Sequence, residues 1–308
     1  MKTKIIRIAV LFLLIGTAST RQALADDRQG ADRRLNKRVL FVLSEFGYWG
    51  EELVGPLEAL EKAGYRIEFA TPKGTKPVAL TPSMDPAYID PPLGRTVTTP
   101  EVAEKVRRIE ASARLDKPVN LTAWLPSKPY YSSPKYLDEL FAYNAALDKV
   151  AGDIRKYDAL VLVGGSGPIL DMANNKRLHD LIRLFLKAGK PVAGECYGVA
   201  VLAFTRDEIT ERSIVYGKRV TGHPLAFDYN DGHGYMKIDH SFQGAPYQLE
   251  FILKDAVGPD GQFIGNVGKK FSVIVDYPII TARTTGDSEL CGQKLVEVLE
   301  HGLRRYGW

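Results

Sequence analysis

The sequence predicts an α/β fold, a doubly wound, mostly parallel sheet. Two observations predict it. Continuous apolar runs recur at residues 39–43 (VLFVL) and 159–163 (ALVLV), and such runs suit strands buried on both faces of a parallel sheet. Each run is followed by a glycine-bearing loop, an apolar stripe at helical spacing and a further short run. That is the βαβ order of a parallel sheet with right-handed crossovers.

The elements follow in order. After the first strand, the loop SEFGYWG leads into a helix carrying Leu53, Leu57 and Leu60, which stops at Ala63-Gly64, and residues 66–70 form the second strand. Gly just past the last turn ends a helix because it accepts the left-handed backbone. Residues 72–135 break the rhythm with many prolines and with Trp124, Tyr130 and Tyr131. The stretch is too long for a simple connection. It is predicted as an insertion over the sheet's carboxyl edge, with one helix near 100–114, and a second helix over about 134–150 leads to the strand at 159. GGSGP at 164–168 opens a helix through Leu178, Leu181, Ile182 and Phe185, which stops at Ala188-Gly189. Residues 191–194 form the next strand, and ECYGV starts another helix. Short strands follow residue 205, then a glycine-rich segment at 228–270, a hairpin at 273–276 and 279–282, and a last helix over about 287–305. Ligand sites in such folds gather along the carboxyl edge of the strands.

The chain has 308 residues, 45% hydrophobic and 25% charged, an ordinary globular composition. Lys2, Lys4 and Arg7 precede an apolar run over 5–15, and Ala23-Leu24-Ala25 closes the stretch. A basic start, a short apolar core and an A-x-A end form a secretory signal peptide. The run is short for a permanent membrane span. The expected layout is therefore a signal peptide at 1–25, a flexible charged lead-in at 26–37 and a single domain at 38–308, with the protein exported to the periplasm or secreted. Taking Lys2, Lys4, Arg7 and Arg21 from the 41 basic residues leaves 37, equal to the 37 acidic ones. A neutral mature chain lacks the basic excess that nucleic acid binding usually requires.

Two motifs can carry chemistry. In GGSGP the glycines let backbone N–H groups face a ligand; a plain tight turn fits as well. GECYG at 194–198 has the form of a nucleophile elbow, with glycines two before and two after Cys196. The following helix N-terminus would stabilise a Cys196 thiolate and depress its pKa. The N–H groups of Tyr197 and Gly165 would form an oxyanion hole. The bland alternative is a buried, inert cysteine. Cys291 lies with Leu295 and Val298 on an apolar helical stripe, which says core, and a Cys196–Cys291 disulfide is the rival arrangement.

The runs YDALVLVGGSGP, AGKPVAGECYG and GKRVTGH, with GYWGEELVGPLEALEKAGYRIEFATPKG before them, resemble the ThiJ/PfpI superfamily, relatives of the class I glutamine amidotransferases. The resemblance covers most of residues 38–305. It implies a flavodoxin-like domain, often a homodimer, in which a glutamate four residues before a proline touches the elbow cysteine. That glutamate is Glu52, before Pro56. The contact helps the sulfur only if Glu52 keeps its proton, and the two groups then titrate as a pair. The alternative for Glu52 is a charge stabilised at a helix N-terminus.

The chain departs from the pattern. Relatives often place a histidine directly after the cysteine, where this chain has Tyr197, and often read GGHGP where it has Ser166. His223, in VTGHPLAFD, is the replacement base the sequence offers, with Asp228 to orient it. No Cys-His-Glu triad of the amidotransferase kind is evident. His233 and His240, with Asp231 and Asp239, fit no metal spacing, so neither a metal nor another cofactor is expected. The resemblance implies a cysteine-dependent enzyme acting on a small carbonyl or amide compound, glyoxalase III-like, deglycase-like or amidase-like. Two alternatives stand beside it: a non-catalytic stress holdase or thiol redox sensor, and a cell-envelope peptidase or amidase using Cys196 and His223.

Overall fold

The computed structural model describes residues 37–228 and 248–308. The leader at 1–25, all of the lead-in but Lys37, and His233, His240, Asp231 and Asp239 lie outside the described residues.

Strand β1 (Arg38–Val42) is where the two-faced core begins. Leu40 and Val42 point into one apolar cluster, and Val39, Phe41 and Leu43 into another on the opposite face. Period-two alternation with both faces covered is why the run carries no polar residue. Helix α1 (Gly50–Lys62) packs Leu53, Leu57 and Leu60 on the second face. It gives way at Gly64, whose φ of +85° lies in the left-handed region, to β2 (Arg66–Thr71).

The stretch that breaks the sequence rhythm holds a small hairpin, β3 (Ile89–Asp90) with β4 (Arg95–Thr96), and helix α2 (Pro100–Ala111). Thr99 caps α2 through its side chain, with Pro100 at the first helical position. Strand β5 (Val119–Asn120) then returns to the main sheet beside β2, followed by the single-turn α3 (Leu121–Trp124). The sheet's outer strand therefore falls inside the segment expected to be all insertion. Two residues are too few to show a strand period in sequence. Helix α4 (Tyr136–Asp153) precedes β6 (Ala159–Leu162).

After β6 come the short α5 (Gly167–Asp171), α6 (Lys176–Lys187), β7 (Val192–Glu195) and α7 (Val199–Phe204). Leu178, Leu181, Ile182 and Phe185 of α6 fill the first face together with α7. Strand β8 (Arg219–Val220) pairs with β9 (Gln262–Phe263) in a separate two-stranded sheet, with α8 (Leu249–Val257) between them in sequence. The expected hairpin is β10 (Val273–Asp276) and β11 (Ile279–Ala282). The last helix, α9 (Ser288–His301), stops at left-handed Gly302, and β12 (Arg305–Tyr306) joins the sheet, so the helix is shorter than expected.

The main sheet has eight strands in the order β12-β10-β11-β7-β6-β1-β2-β5. Pairing is parallel from β11 to β5, and β10 and β12 close the other side in antiparallel pairings. The doubly wound fold is thus present as expected. Cys196 belongs to the core of the first face and Cys291 to that of the second; both thiols are free, so the disulfide arrangement is not adopted. Among the described residues, no helix is long and apolar enough to cross a membrane.

Candidate active site

Strand β7 ends inside the parallel array, flanked by β6 and β11. The chain turns there at Cys196, a non-glycine residue with φ +49°. Holding an L-residue in this region costs of order 1–3 kcal/mol, which the surrounding packing must offset. A 3-10 turn over Cys196–Gly198 runs directly into α7. Gly198 has no alternative, since a β-carbon there would lie 2.7 Å from the Leu162 carbonyl oxygen. Gly194 is different: its β-carbon would meet Leu202 at an ordinary 3.4 Å. The second tight glycine is Gly164, in the GGSGP turn. A β-carbon at 164 would collide with the Glu52 carboxylate, the Glu195 carbonyl oxygen and the Cys196 β-carbon. Sequence reasoning framed the elbow with Gly194 and Gly198, whereas space demands Gly164 and Gly198.

Cys196 is 6% exposed, and its sulfur is the meeting point of four groups. His223 Nδ1 stands 3.6 Å from Sγ. The backbone N–H groups of Tyr197 and Gly165 are directed at the sulfur, and the Glu52 carboxyl lies against it. Burial pushes the thiol well above its ordinary pKa, and the Glu52 charge pushes it further; the two amides oppose this and lose. The expected depression of the Cys196 pKa is therefore corrected. The helix behind the elbow is one short turn and six residues, too little to outweigh a dry site beside a carboxyl.

Glu52, in the first turn of α1, is 2% exposed. Burial holds its pKa well above the carboxylate range, and the charge of Glu195 adds to this. Its Oε2 is buried without a hydrogen-bond partner among the described residues. Burial thus favours the protonated carboxyl, the state in which it can donate to the sulfur. Glu195, one residue before the nucleophile, points to the other side of the sheet. It is wholly buried beside Ser288 and Cys291, without a hydrogen bond of ordinary geometry among the described residues, and burial pushes its pKa up to about 8.

His223 follows β8, which is anchored beside the main sheet rather than in it: the Thr221 N–H donates to Thr281 Oγ1 of β11 at 2.8 Å. The imidazole Nε2 lies 3.1 Å from Asp228 Oδ1. With Nε2–H donating to that carboxylate, Nδ1 is the bare nitrogen facing Sγ. The structure thus brings together Cys196, His223 and Asp228, the residues the sequence offered as nucleophile, replacement base and its orienting carboxylate. No fixed spacing announces their meeting, because they come from β7 and from a loop placed by long-range pairing.

Cys196, His223, Glu52, Gly165 and Tyr197 floor a cavity of about 230 Å³, with Asp228 behind His223. Trp49 comes from the loop after β1, and the roof is Leu80, Tyr88, Leu93 and Val97 from the segment after β2, with Phe227 at one side. Neither Lys nor Arg lines it among the described residues. Of the other aromatics, Tyr48 is core, Trp124 packs against Tyr157, and Tyr130 is exposed. Among the described residues, no cluster of His, Cys, Asp and Glu could hold a metal ion.

Glu52→Gln tests the Glu52–sulfur coupling. The amide keeps a donor at the sulfur and cannot ionise as pH rises, so the charge that raises the thiol never forms. The onset of Cys196 alkylation is expected to move to lower pH in mass-resolved labelling; an unchanged onset would remove the coupling.

A doubly wound sheet whose central strand ends in a left-handed cysteine, faced by a buried carboxyl, defines a class of cysteine-elbow α/β proteins. The family model described as ThiJ/PfpI family-like matches residues 43–254, and the chain belongs to that family. A 63-residue stretch, 20% of this chain, is 40% identical to Protein DJ-1 homolog D of Arabidopsis thaliana and spans 16% of that protein's length. The solved glyoxalase III of Candida albicans is similar in fold at 18% identity and a TM-score of 0.57, over 86% of this chain and 98% of that one. The 24 kDa Rapid Encystment Protein of Francisella tularensis is similar at 19% identity and a TM-score of 0.57, over 85% and 99%.

Proposed function

We propose that the chain is a cysteine-dependent enzyme acting on a small, uncharged carbonyl or amide compound. The observation that carries this reading is the contact chain from Sγ through His223 to Asp228 at the floor of a cavity. Burial keeps the thiol protonated at rest, so a base must act as the sulfur attacks. His223 Nδ1 takes the S–H proton while Sγ bonds to the carbonyl carbon. The carbonyl π electrons move to oxygen, where the N–H groups of Gly165 and Tyr197 are donors. Glu52, neutral, steadies the sulfur. With a 2-oxoaldehyde this thiohemiacetal is the entry to lyase or deglycase chemistry; with an amide, its nitrogen leaves after protonation by the same imidazole. Among the described residues the cavity wall holds Glu52 and Asp90 but no Lys or Arg, which favours neutral over anionic ligands. The basic and apolar start of the sequence supports export, so the site would work in the periplasm or outside the cell.

A holdase is the second reading, supported by one observation. Tyr130, Tyr131, Leu137 and Phe141 are exposed close together in sequence, with the two tyrosine rings 5.3 Å apart. The redox-sensor reading gains no such support, because a buried, protonated thiol oxidises poorly.

The test is iodoacetamide labelling of the native protein against pH, with the two cysteines resolved by mass. Cys196 is expected to label slowly at pH 7 and faster as pH rises, while Cys291 stays protected until unfolding. A Cys196 that resists every small reagent while the fold persists would end the nucleophile reading.

A further inference from the structure

Tyr197 occupies the position after the nucleophile, and its side chain does something no backbone amide can. Its hydroxyl donates to Asp228 Oδ1 at 2.8 Å, the same oxygen that faces His223 Nε2. Its ring lies on the imidazole, with centroids 4.5 Å apart and planes inclined by 28°. Phe227 meets the imidazole edge-on from another direction, at 6.2 Å and 76°. Asp228 Oδ2 is buried with no hydrogen-bond partner among the described residues.

These contacts solve a geometrical problem. An imidazole serves as base only if its plane, its tautomer and its distance to the sulfur are all held at once. The Asp228 carboxylate sets the tautomer, but a carboxylate held by one donor can rotate about its χ2 axis. The phenol is the second donor on Oδ1, and the stacked ring limits rotation of the imidazole. The Tyr197 N–H meanwhile points at Sγ. One residue thus touches all three members of the chain.

We propose that the Tyr197 side chain is the positioning residue of the triad: its hydroxyl locks Asp228 and its ring sets the His223 plane, presenting bare Nδ1 to the sulfur. This rests on the reading of Cys196 as nucleophile and His223 as base. Tyr197 takes no proton and forms no bond to substrate; it acts through His223.

Tyr197→Phe is the discriminating variant, because it keeps the ring and the stack and removes only the hydroxyl. Two readouts apply: the rate of Cys196 alkylation by iodoacetamide at pH 7, and the 15N shifts of the His223 ring, assigned by their loss in His223→Ala. Loss of one buried hydrogen bond is expected to slow alkylation roughly tenfold. The ring nitrogens are expected to move from a pure Nε2–H tautomer to a mixture. Protection of Cys291 from the same reagent verifies that the variant is folded. Slower alkylation in both variants, with the tautomer shift in Tyr197→Phe, supports the proposal. If His223→Ala slows Cys196 but Tyr197→Phe leaves rate and tautomer unchanged, Tyr197 only packs and the positioning role falls alone. If His223→Ala itself leaves the rate unchanged, the triad reading falls and takes this role with it.

Discussion

Replacing His223 with alanine is expected to lower turnover of a small aldehyde or amide substrate by about 10²–10⁴-fold, the usual worth of a general base. The effect should be near the top of that range, because the thiol it serves is held protonated by burial and by Glu52. Cys196→Ser should be at least as damaging, since a serine hydroxyl in the same dry site is a far weaker nucleophile. The double variant should be little worse than either single one, as expected of groups that act as a unit. Cys291→Ser is the control: Cys291 sits in the core of the opposite face, so turnover should be retained. The measurement is kcat/KM for the parent and the four variants, with thermal melts beside them. A His223→Ala protein that keeps half the parent's activity would remove the imidazole from the chemistry.

The second large effect concerns stability. An unfolded Glu195 titrates near 4.5, whereas burial pushes the folded carboxyl up to about 8. Across that window the folded state keeps a proton that the unfolded state has released. Stability from this group is full below about pH 4.5 and declines as pH rises towards 8. Above pH 8 the loss is up to roughly 5 kcal/mol. The groups that face it make the charge harder to carry, since Glu51 and Asp287 are acidic and Arg283 is engaged by Asp287. Glu195→Gln has nearly the same shape and no charge to bury. It should match the parent at pH 4 and melt higher at pH 9, with a gap that widens through the interval. A gap that stays constant from pH 5 to pH 9 would show that Glu195 does not hold its proton.

Much of the fold was legible because parallel strands buried on both faces leave uninterrupted apolar runs, as at residues 39–43 and 159–163. The elbow was legible because Gly198 must be small to pass the Leu162 carbonyl. Other features depend on contacts far apart in sequence. Strand β5 is two residues long and owes its existence to pairing with Ala70 and Thr71. The meeting of Cys196 with His223 and Asp228 depends on β8 pairing with β9 and on the Thr221–Thr281 bond. The upward shift of the Cys196 pKa is hidden from the sequence for the same reason. A helix terminus is visible in a local motif, whereas dryness and the approach of Glu52 arise only when α1 packs over the strand ends. Glu195 carried no interpretable signal until α9 was seen to bury it.

The roof and floor of the cavity have separate origins. Leu80, Tyr88, Leu93 and Val97 sit on one continuous surface stretch, while Cys196, His223 and Glu52 hang from the rigid sheet and the elements pressed to it. Substitutions in the roof can therefore retune which molecules are admitted without disturbing the groups that react with them, so ligand preference and reaction type are free to diverge at different rates.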